Sequence, residues 1–256
     1  MKSLLRGRSE KQPAGISNFR GLKQAMMDER SKTTPPIGRL VGVVATRAAL
    51  VRATRLQKPP DLFELRLDAL YRFLDDVKNA IPKLRAPLIL TARHPAEGGR
   101  NTLNAVTRRE LLLHFLNRAA FVDLELRSLG QMRPVLEQAR REKIGLIISC
   151  HLLNDTPPLD VLQRQWKTAA NSGADIFKVA TRTDTRAQLD RLISFFETNS
   201  GALPIAALGI GKLGAESRRR LAQLGSALVY ASLGAATAEG QPSLSKLQRA
   251  RPAYII

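Results

Sequence analysis

Short apolar runs alternate with longer amphipathic segments from Leu40 to Ala250. Apolar runs bounded by turn residues are typical of buried strands, whereas the longer segments have helical periodicity. We predict eight strands, at Leu40–Ala45, Leu62–Leu67, Pro87–Ala92, Phe121–Leu126, Ile144–Cys150, Asp175–Ala180, Pro204–Leu208 and Ala227–Ser232. We predict a helix after each strand, at Arg47–Leu56, Tyr71–Ile81, Asn104–Asn117, Gly130–Glu142, Pro158–Ser172, Asp184–Glu197, Ala215–Leu224 and Ser243–Ala250.

This alternation of strands and helices indicates a parallel sheet. Eight βα units of this size favour a closed (β/α)8 TIM barrel over an open, doubly wound sheet. We therefore expect residues 37–256 to form a single barrel domain.

The first 36 residues do not follow the alternation. They mix Gly, Ser, Pro and charged residues and end at Pro35-Pro36. We predict a basic, flexible N-terminal extension with a short helix around residues 21–30. The apolar stretch near Met1 is too short for a signal peptide core, and Glu10 and Asp28 argue against an organellar targeting peptide.

The chain is strongly basic, with a formal net charge of +19, of which only +5 falls in the first 36 residues. Such a charge attracts polyanions, so non-specific nucleic-acid binding is one hypothesis and a solvated basic surface is the other. The sequence contains no aromatic-rich stacking motif and no zinc-ligand spacing. Its single cysteine, Cys150, excludes an internal disulfide and suits the cytoplasm.

Polar side chains occur at or just beyond the ends of the predicted strands, which is where (β/α)8 barrels carry their chemistry. Any one of them could form a rim salt bridge, but together they predict a polar pocket at one end of the barrel. Glu64, Arg66 and Asp68 are spaced by two and therefore share one face of their strand. The candidates are Glu64, Arg66, Asp68, Arg93, Glu97, Asp123, Glu125, His151, Lys178, Arg218, Thr237 and Gln241.

Lys178 lies in the middle of an apolar strand, where an ammonium group is costly unless it is paired or neutralised. One interpretation is that Lys178 reaches the rim or pairs with a carboxylate. The other is that nearby cations and desolvation favour a neutral amine, which attacks a carbonyl as a Schiff-base nucleophile. His151 and Cys150 are adjacent and should face opposite ways in an extended strand, which argues against a Cys–His nucleophile pair.

The segment Gly209–Gly214 matches the pattern G-x-G-x-x-G. A dinucleotide-binding fold would need an acidic residue about 20 positions later, and residues 228–236 contain none. We instead expect the backbone N–H groups of this loop to bind an anionic group of a substrate.

Seven short blocks, in this order, resemble type I 3-dehydroquinate dehydratase, the Schiff-base lyase of the shikimate pathway. The resemblance covers residues from about 38 to 250. The blocks are Phe63–Asp68, Thr91–Arg93 with Glu97–Gly99, Val122–Leu126, Ser149–His151, Ala174–Ala180, Gly211 and Gly214 with Ser217-Arg218, and Gly240-Gln241.

The resemblance implies a TIM barrel that converts 3-dehydroquinate to 3-dehydroshikimate and water, commonly as a homodimer and without a metal or organic cofactor. It implies that Lys178 condenses with the ketone, that His151 is the general acid and base, and that Glu97 supports His151 or contacts the substrate. It further implies that the substrate is bound, or the pocket shaped, by Glu64, Arg66, Arg93, Arg218, Thr237 and Gln241, with Arg218 on the carboxylate.

The chain departs from the family pattern at three places: Leu152-Leu153, Thr181-Arg182 and Leu208–Ile210. Two other hypotheses remain open from the sequence. The first is a different Schiff-base barrel, such as an aldolase acting on a sugar phosphate. The second is a barrel without turnover that uses its basic surface to bind nucleic acid. If a lid closes over the substrate, its candidate is the loop 235–242, which contains Gly240 and small residues.

Overall fold

The structure is a computed structural model that describes residues 38–199, 201 and 203–250. It contains eight parallel strands: β1 Arg39–Val44, β2 Leu62–Arg66, β3 Leu88–Thr91, β4 Phe121–Glu125, β5 Gly145–Leu152, β6 Ile176–Arg182, β7 Ile205–Ile210 and β8 Leu228–Ser232. A helix follows each strand: α1 Arg47–Arg55, α2 Leu74–Ala80, α3 Ala105–Phe115, α4 Arg133–Arg141, α5 Leu159–Asn171, α6 Arg186–Asn199, α7 Gly214–Gln223 and α8 Leu244–Ala250. The predicted (β/α)8 barrel is confirmed.

The strands pair in the order β7-β6-β5-β4-β3-β2-β1-β8. Between β7 and β8, no ladder forms in the described part of the chain. Instead, the N–H of Ala227 donates to the carbonyl of Ile205 at 2.8 Å, and the N–H of Ala207 donates to Ser226 Oγ at 3.1 Å. The barrel is therefore nearly closed, with a seam between its seventh and eighth strands.

On six of the eight strands, the inward face changes from apolar to polar within one step of two residues. Leu62 is followed by Glu64, Ile89 by Thr91, Phe121 by Asp123, Ile147 by Ser149, Ile176 by Lys178 and Leu228 by Tyr230. The first member of each pair packs in an apolar cluster inside the barrel. This cluster, which we call the floor, lies directly beneath the layer of polar side chains. The outward faces of the strands pack against the helices.

Local signals in the sequence explain where the helices begin. Thr46 caps α1, because its hydroxyl accepts from the N–H of Ala49 at 3.1 Å. Asn104 caps α3 in the same way, accepting from Thr107 N at 2.9 Å. Strands β5, β6 and β7 extend two residues further than predicted because they pair with one another up to Leu152, Arg182 and Ile210.

The predicted N-terminal extension, residues 1–36, and its short helix lie outside the described residues, so they stay predictions. None of the helices in the described ranges combines the length and the apolar character that a membrane crossing requires.

Candidate active site

Lys178 lies inside the barrel on β6, with only 4% of its surface exposed. Its Nζ donates to Asp123 Oδ2 at 2.9 Å and to Glu64 Oε1 at 3.2 Å. The ring of Tyr230 covers a third side, with its centroid 4.1 Å from Nζ. The direct partners of the amine are thus two carboxylates and an aromatic ring, and Arg93, one of the expected neighbouring cations, bonds the same oxygen of Asp123 at 2.9 Å.

Arg93 holds Asp123 from the other side. Its guanidinium donates to both carboxylate oxygens of Asp123, at 3.1 and 2.9 Å, and also to Ser149 Oγ at 2.8 Å. Burial alone would raise the pKa of Asp123, but Arg93 and Lys178 outweigh it and hold this pKa well below its usual range. Asp123 therefore stays ionised and fixes the position of the lysine.

The charge network continues outward through Glu125 to Arg108. Glu125 Oε1 accepts from Arg93 Nη1 at 3.2 Å and from the N–H of His94 at 2.9 Å. Its other oxygen accepts from Arg108, which lies on α3 and is only 1% exposed. Lys178, Asp123, Arg93, Glu125 and Arg108 thus form a buried row of alternating charges.

His151 is paired with Glu97. Both its backbone N–H and its Nδ1 lie 2.9 Å from Glu97 Oε2. Burial, followed by the charges of Arg93 and Lys178, lowers the pKa of His151 well below its usual value, so the ring is neutral at pH 7. Because an ionised Glu97 can only accept, it holds the hydrogen on Nδ1 and leaves the Nε2 lone pair free to act as a base.

Glu97 is the one carboxyl group here whose pKa rises to a value near neutrality. It is 7% exposed, and burial raises its pKa to about 7 despite the opposing charge of Arg93. The state of this carboxyl therefore changes within the physiological pH range. A carboxyl that titrates beside a histidine is typical of sites that move protons.

Arg66 and Asp68 form a second buried pair at the rim. Arg66 donates to both oxygens of Asp68, at 2.9 and 2.8 Å, and to the carbonyl of Gly98 at 3.1 Å. Asp68 also accepts from the N–H groups of Arg93 and Arg100, at 3.1 and 2.9 Å. Asp68 therefore ties the end of β2 to the loop that carries Glu97.

Arg218 differs from the other buried cations because no carboxylate in the described part of the chain binds it. It lies on α7 with 7% exposure, and its Nε donates to the carbonyl of Gly209 at 3.1 Å. Burial lowers its pKa to about 10, so it remains charged at pH 7. A planar guanidinium with free donors suits a carboxylate.

The loop 209–214 does not bind an anion in the way the sequence suggested. Four of its N–H groups already have protein acceptors: Gly209 N bonds Ser217 Oγ, Lys212 N bonds Asp184, Leu213 N bonds Thr183 O and Gly214 N bonds Gly211 O. That prediction is wrong. The loop instead places Arg218, whose Nε bonds the carbonyl of Gly209.

Thr237 and Gln241 lie in the loop after β8 and bond each other. Gln241 Oε1 accepts from the N–H of Thr237 at 2.7 Å and from its hydroxyl at 2.8 Å. Gly240 has a φ of 79°, and a Cβ there would come within 2.8 Å of Ala215 N at the start of α7. The loop thus packs against the helix that carries Arg218.

The structure brings most of the predicted residues into hydrogen-bonded groups at the C-terminal ends of the strands. Sequence reasoning missed the contributions of Ser149, Tyr230 and Arg108. Ser149 and Tyr230 occupy inward positions two residues beyond an apolar floor residue, so the period of their strands could have found them. The sequence gives no such indication for Arg108, because an arginine at this position looks like an ordinary surface cation of an amphipathic helix. Cys150 faces the helices, as predicted, and its Sγ bonds Gln165 Oε1 at 3.3 Å.

The charges of the interior nearly cancel. Besides Glu97, which pairs with His151, four carboxylates pair with four cations, namely Glu64, Asp123, Glu125 and Asp68 with Lys178, Arg93, Arg108 and Arg66. Arg218 is left with no carboxylate partner among the described residues. The site therefore suits a small substrate that places a negatively charged group on Arg218 and a carbonyl within reach of Lys178.

Comparison with known proteins places this geometry in a family. The family described as "Type I 3-dehydroquinase" matches residues 41–253. A 3-dehydroquinate dehydratase of Thermococcus gammatolerans is 30% identical over 218 residues, which is 82% of this chain and 96% of that protein. The chloroplastic bifunctional 3-dehydroquinate dehydratase/shikimate dehydrogenase of Arabidopsis thaliana is 30% identical over 73% of the chain, which spans only 32% of that relative's length.

A solved structure agrees with these matches. The crystal structure of 3-dehydroquinate dehydratase from Geobacillus kaustophilus superposes with a TM-score of 0.74 at 25% sequence identity, covering 86% of this chain and 91% of that chain.

Proposed function

The chain belongs to the type I 3-dehydroquinase family, and from this premise we propose that it catalyses the dehydration of 3-dehydroquinate, with Lys178 forming the Schiff base and His151 moving the protons. The observation that carries the proposal is the placement of Lys178, which is buried, fixed on three sides and next to a histidine held in the base form. The reaction is that of a hydro-lyase in the shikimate pathway.

Lys178 begins the reaction. Its amine, after giving up a proton, attacks the ketone of the substrate, and loss of water from the adduct forms an iminium. Abstraction of a proton from the carbon next to the iminium leaves an electron pair that the iminium accepts, so no free carbanion forms. This covalent electron sink is the main chemical advantage that the buried amine supplies.

His151 completes the elimination. Its Nε2 takes the proton from carbon and then gives it to the departing hydroxyl, which leaves as water. Hydrolysis of the product iminium releases the new ketone and returns the amine, so the net reaction is substrate to product plus one water. General acid–base assistance of this kind typically contributes about 10²–10⁴ in rate.

Arg218 binds the substrate carboxylate, and Thr237 and Gln241 approach the same group from the loop after β8. Glu64, Arg66 and Arg93 bind substrate hydroxyls or hold the groups that do so.

A sugar phosphate fits this site less well, because a barrel phosphate site uses N–H groups after strands 7 and 8. Three N–H groups after β7, those of Lys212, Leu213 and Gly214, already have acceptors within the protein, which favours the dehydratase over an aldolase.

Borohydride trapping tests the proposal. The protein is incubated with 3-dehydroquinate and reduced, and the modified peptide is identified by mass spectrometry. We expect the adduct on Lys178, product in the unreduced sample, and neither in Lys178→Met. Lys212→Met is the matched control, because Lys212 is an exposed lysine near the same end of the barrel and should retain both signals.

An adduct on another lysine would overturn the role of Lys178, and product without any adduct would overturn the Schiff base. Turnover of a phosphorylated aldol without turnover of 3-dehydroquinate would point to the aldolase.

The cellular setting is part of the same proposal. The enzyme works in the cytoplasm, which agrees with its one cysteine being a free and buried thiol. It is a homodimer, as the family resemblance implies. Sedimentation of the full chain at several concentrations tests this assembly, and a monomer at every concentration would contradict it.

A further inference from the structure

The N-terminal end of the barrel carries a concentration of exposed basic residues. It lies opposite the end that holds Lys178, because all eight strands run in the same direction. Four consecutive segments lead into β2, β3, β4 and β5, namely residues 55–61, 81–87, 116–120 and 140–144. They contain only two acidic residues, Asp61 and Glu142. Their eight basic residues, which we call the basic face, are Arg55, Lys58, Lys83, Arg85, Arg118, Arg140, Arg141 and Lys143, and all are exposed.

These segments are neighbours in space as well as in sequence. Strands β2 to β5 are adjacent in the sheet, and Arg85 bonds the carbonyl of Leu56 in the preceding segment. Arg85 and Arg118 each precede their strand by three residues, and Lys143 precedes β5 by two. Because β3, β4 and β5 are neighbours in the sheet, these three cations lie at the same end of adjacent strands.

The basic face is not neutralised by the protein. In the described part of the chain, no salt bridge to a carboxylate involves any of its eight members. By contrast, the residues directly before β6 and β8, Ser172–Asp175 and Leu224–Ala227, contain no Lys or Arg. Among the described residues that lead into strands, the exposed positive charge is therefore concentrated before β2 to β5.

A lysine occupies a strained position in this face. Helices α4, α5 and α7 end in the same turn, in which an N–H bonds back five residues: Ile144 to Ala139, Ala174 to Ala169 and Ser226 to Leu221. The turn requires a residue with positive φ. At α5 and α7 that residue is glycine, with φ of 75° and 94°, whereas at α4 it is Lys143 with φ of 59°. The chain thus carries a cation where its own other helices carry glycine.

We infer that the basic face is a docking surface for the phosphate backbone of a duplex nucleic acid. Clustered cations without carboxylate partners match a polyanion. The four segments contain no aromatic residue on which the bases of a single strand could stack. None of the large apolar side chains that are exposed in the described residues lies in them, which disfavours insertion into a membrane.

Fluorescence anisotropy with a labelled duplex DNA, over a range of salt concentrations, tests this inference on the full chain. The face variant carries Lys83→Gln, Arg118→Gln, Arg141→Gln and Lys143→Gln. The matched control carries Arg72→Gln, Lys167→Gln, Arg219→Gln and Lys246→Gln, four exposed residues elsewhere that remove the same net charge.

We expect the face variant to raise the Kd at low salt at least about tenfold. It should also reduce the slope of log K against log salt by about 3 to 4, because each lost phosphate contact contributes about 0.9. The control should stay within about twofold of the native Kd with an unchanged slope. Equal weakening in both variants would show attraction by net charge alone and would overturn the inference.

Lys143→Gly provides a second, single-residue test. It should raise the melting temperature, because glycine adopts positive φ without strain, and it should reduce the salt slope by about 1. A more stable variant with unchanged binding would show that Lys143 is strained but does not contact the nucleic acid, which would contradict its place in the docking surface.

Two further measurements separate the alternatives. Binding to phosphatidylserine vesicles but not to the duplex, lost in the face variant, would identify a membrane surface and overturn the inference. Turnover of 3-dehydroquinate with saturating duplex should equal turnover without it, because the two ends of the barrel are separate. Inhibition that the face variant does not relieve would place the polyanion in the active site instead.

Discussion

Arg108 is the largest fully buried side chain in the described residues, and it ends the row of charges that begins at Lys178. Its Nε also bonds the carbonyl of Ala92 at 2.7 Å. Arg108→Met would leave Glu125 buried with one cation fewer, so we expect a loss of about 3–5 kcal/mol in the free energy of unfolding. Urea denaturation measures this change. Arg109→Met, next to it on the same helix, should change stability by no more than about 0.5 kcal/mol, and equal effects would contradict the role of Arg108.

Glu97 predicts an acid limb in the pH profile of kcat/KM. Below its pKa of about 7, the protonated carboxyl donates to Nδ1 of His151, which moves the ring hydrogen to Nε2 and removes the base. Activity should therefore fall as pH drops through about 7. In Glu97→Gln the amide oxygen accepts the Nδ1 hydrogen at every pH, so this limb should disappear while the plateau is lower. An unmoved limb in Glu97→Gln would assign it to another group.

Arg218 predicts opposite effects on binding and stability. Arg218→Met should raise KM for 3-dehydroquinate about 30- to 100-fold, which corresponds to the loss of a charge-assisted bond of about 2–3 kcal/mol. The same change removes a buried cation that has no carboxylate partner in the described chain, so the empty protein should become more stable by about 1 kcal/mol. Steady-state kinetics and thermal melting measure the two effects. A destabilised variant with unchanged KM would make Arg218 a structural residue.

At the scale of elements, the packing of β7 against α7 depends on Gly209. A Cβ at this position would lie 2.2 Å from Ser217 Oγ and 2.3 Å from Thr183 Oγ1. Gly209→Ala should therefore push α7 away, destabilise the protein by about 1–3 kcal/mol and raise KM by displacing Arg218. Gly130→Ala is the matched control, because nothing lies within 4 Å of a Cβ there. Similar losses in both variants would show a general cost of replacing glycine.

The elements themselves were predictable from sequence because each strand is a short apolar run between turn signals. Their ends were less predictable. Strand β5 extends to Leu152 only because β6 provides a partner, and nothing in the local sequence shows that His151 and Leu152 pair with Ala180 and Thr181. The loop after β7 was misinterpreted for a similar reason. Its glycines were visible in the sequence, but Asp184 and Thr183, which accept its N–H groups, belong to the preceding βα unit.

At the scale of the molecule, the periodicity of the strands and the order of the motifs were enough to predict which residues form the site. Lys178, His151 and Glu64 stand at strand ends, so a parallel barrel alone places them together. The hydrogen-bond partners of these residues could be identified only from the structure. Asp123 lies between Lys178 and Arg93, and Arg108 reaches Glu125 from a helix, because a buried charge is costly unless an opposite charge adjoins it. That requirement joins residues that are far apart in the sequence, so no short stretch of sequence reveals the pairing.

The seam between β7 and β8 has a consequence for hydrogen exchange. Arg218 depends on β7 through Gly209, whereas Thr237 and Gln241 follow β8, so a carboxylate held by all three would join the two sides of the weakest strand pair. We expect amides of Ile205–Ile210 and Leu228–Ser232 to exchange faster than those of β5 and β6 in the free enzyme, and to slow when 3-dehydroquinate is trapped by borohydride. On this view the substrate acts as a cross-link that completes the barrel, and the closed cylinder is a property of the complex.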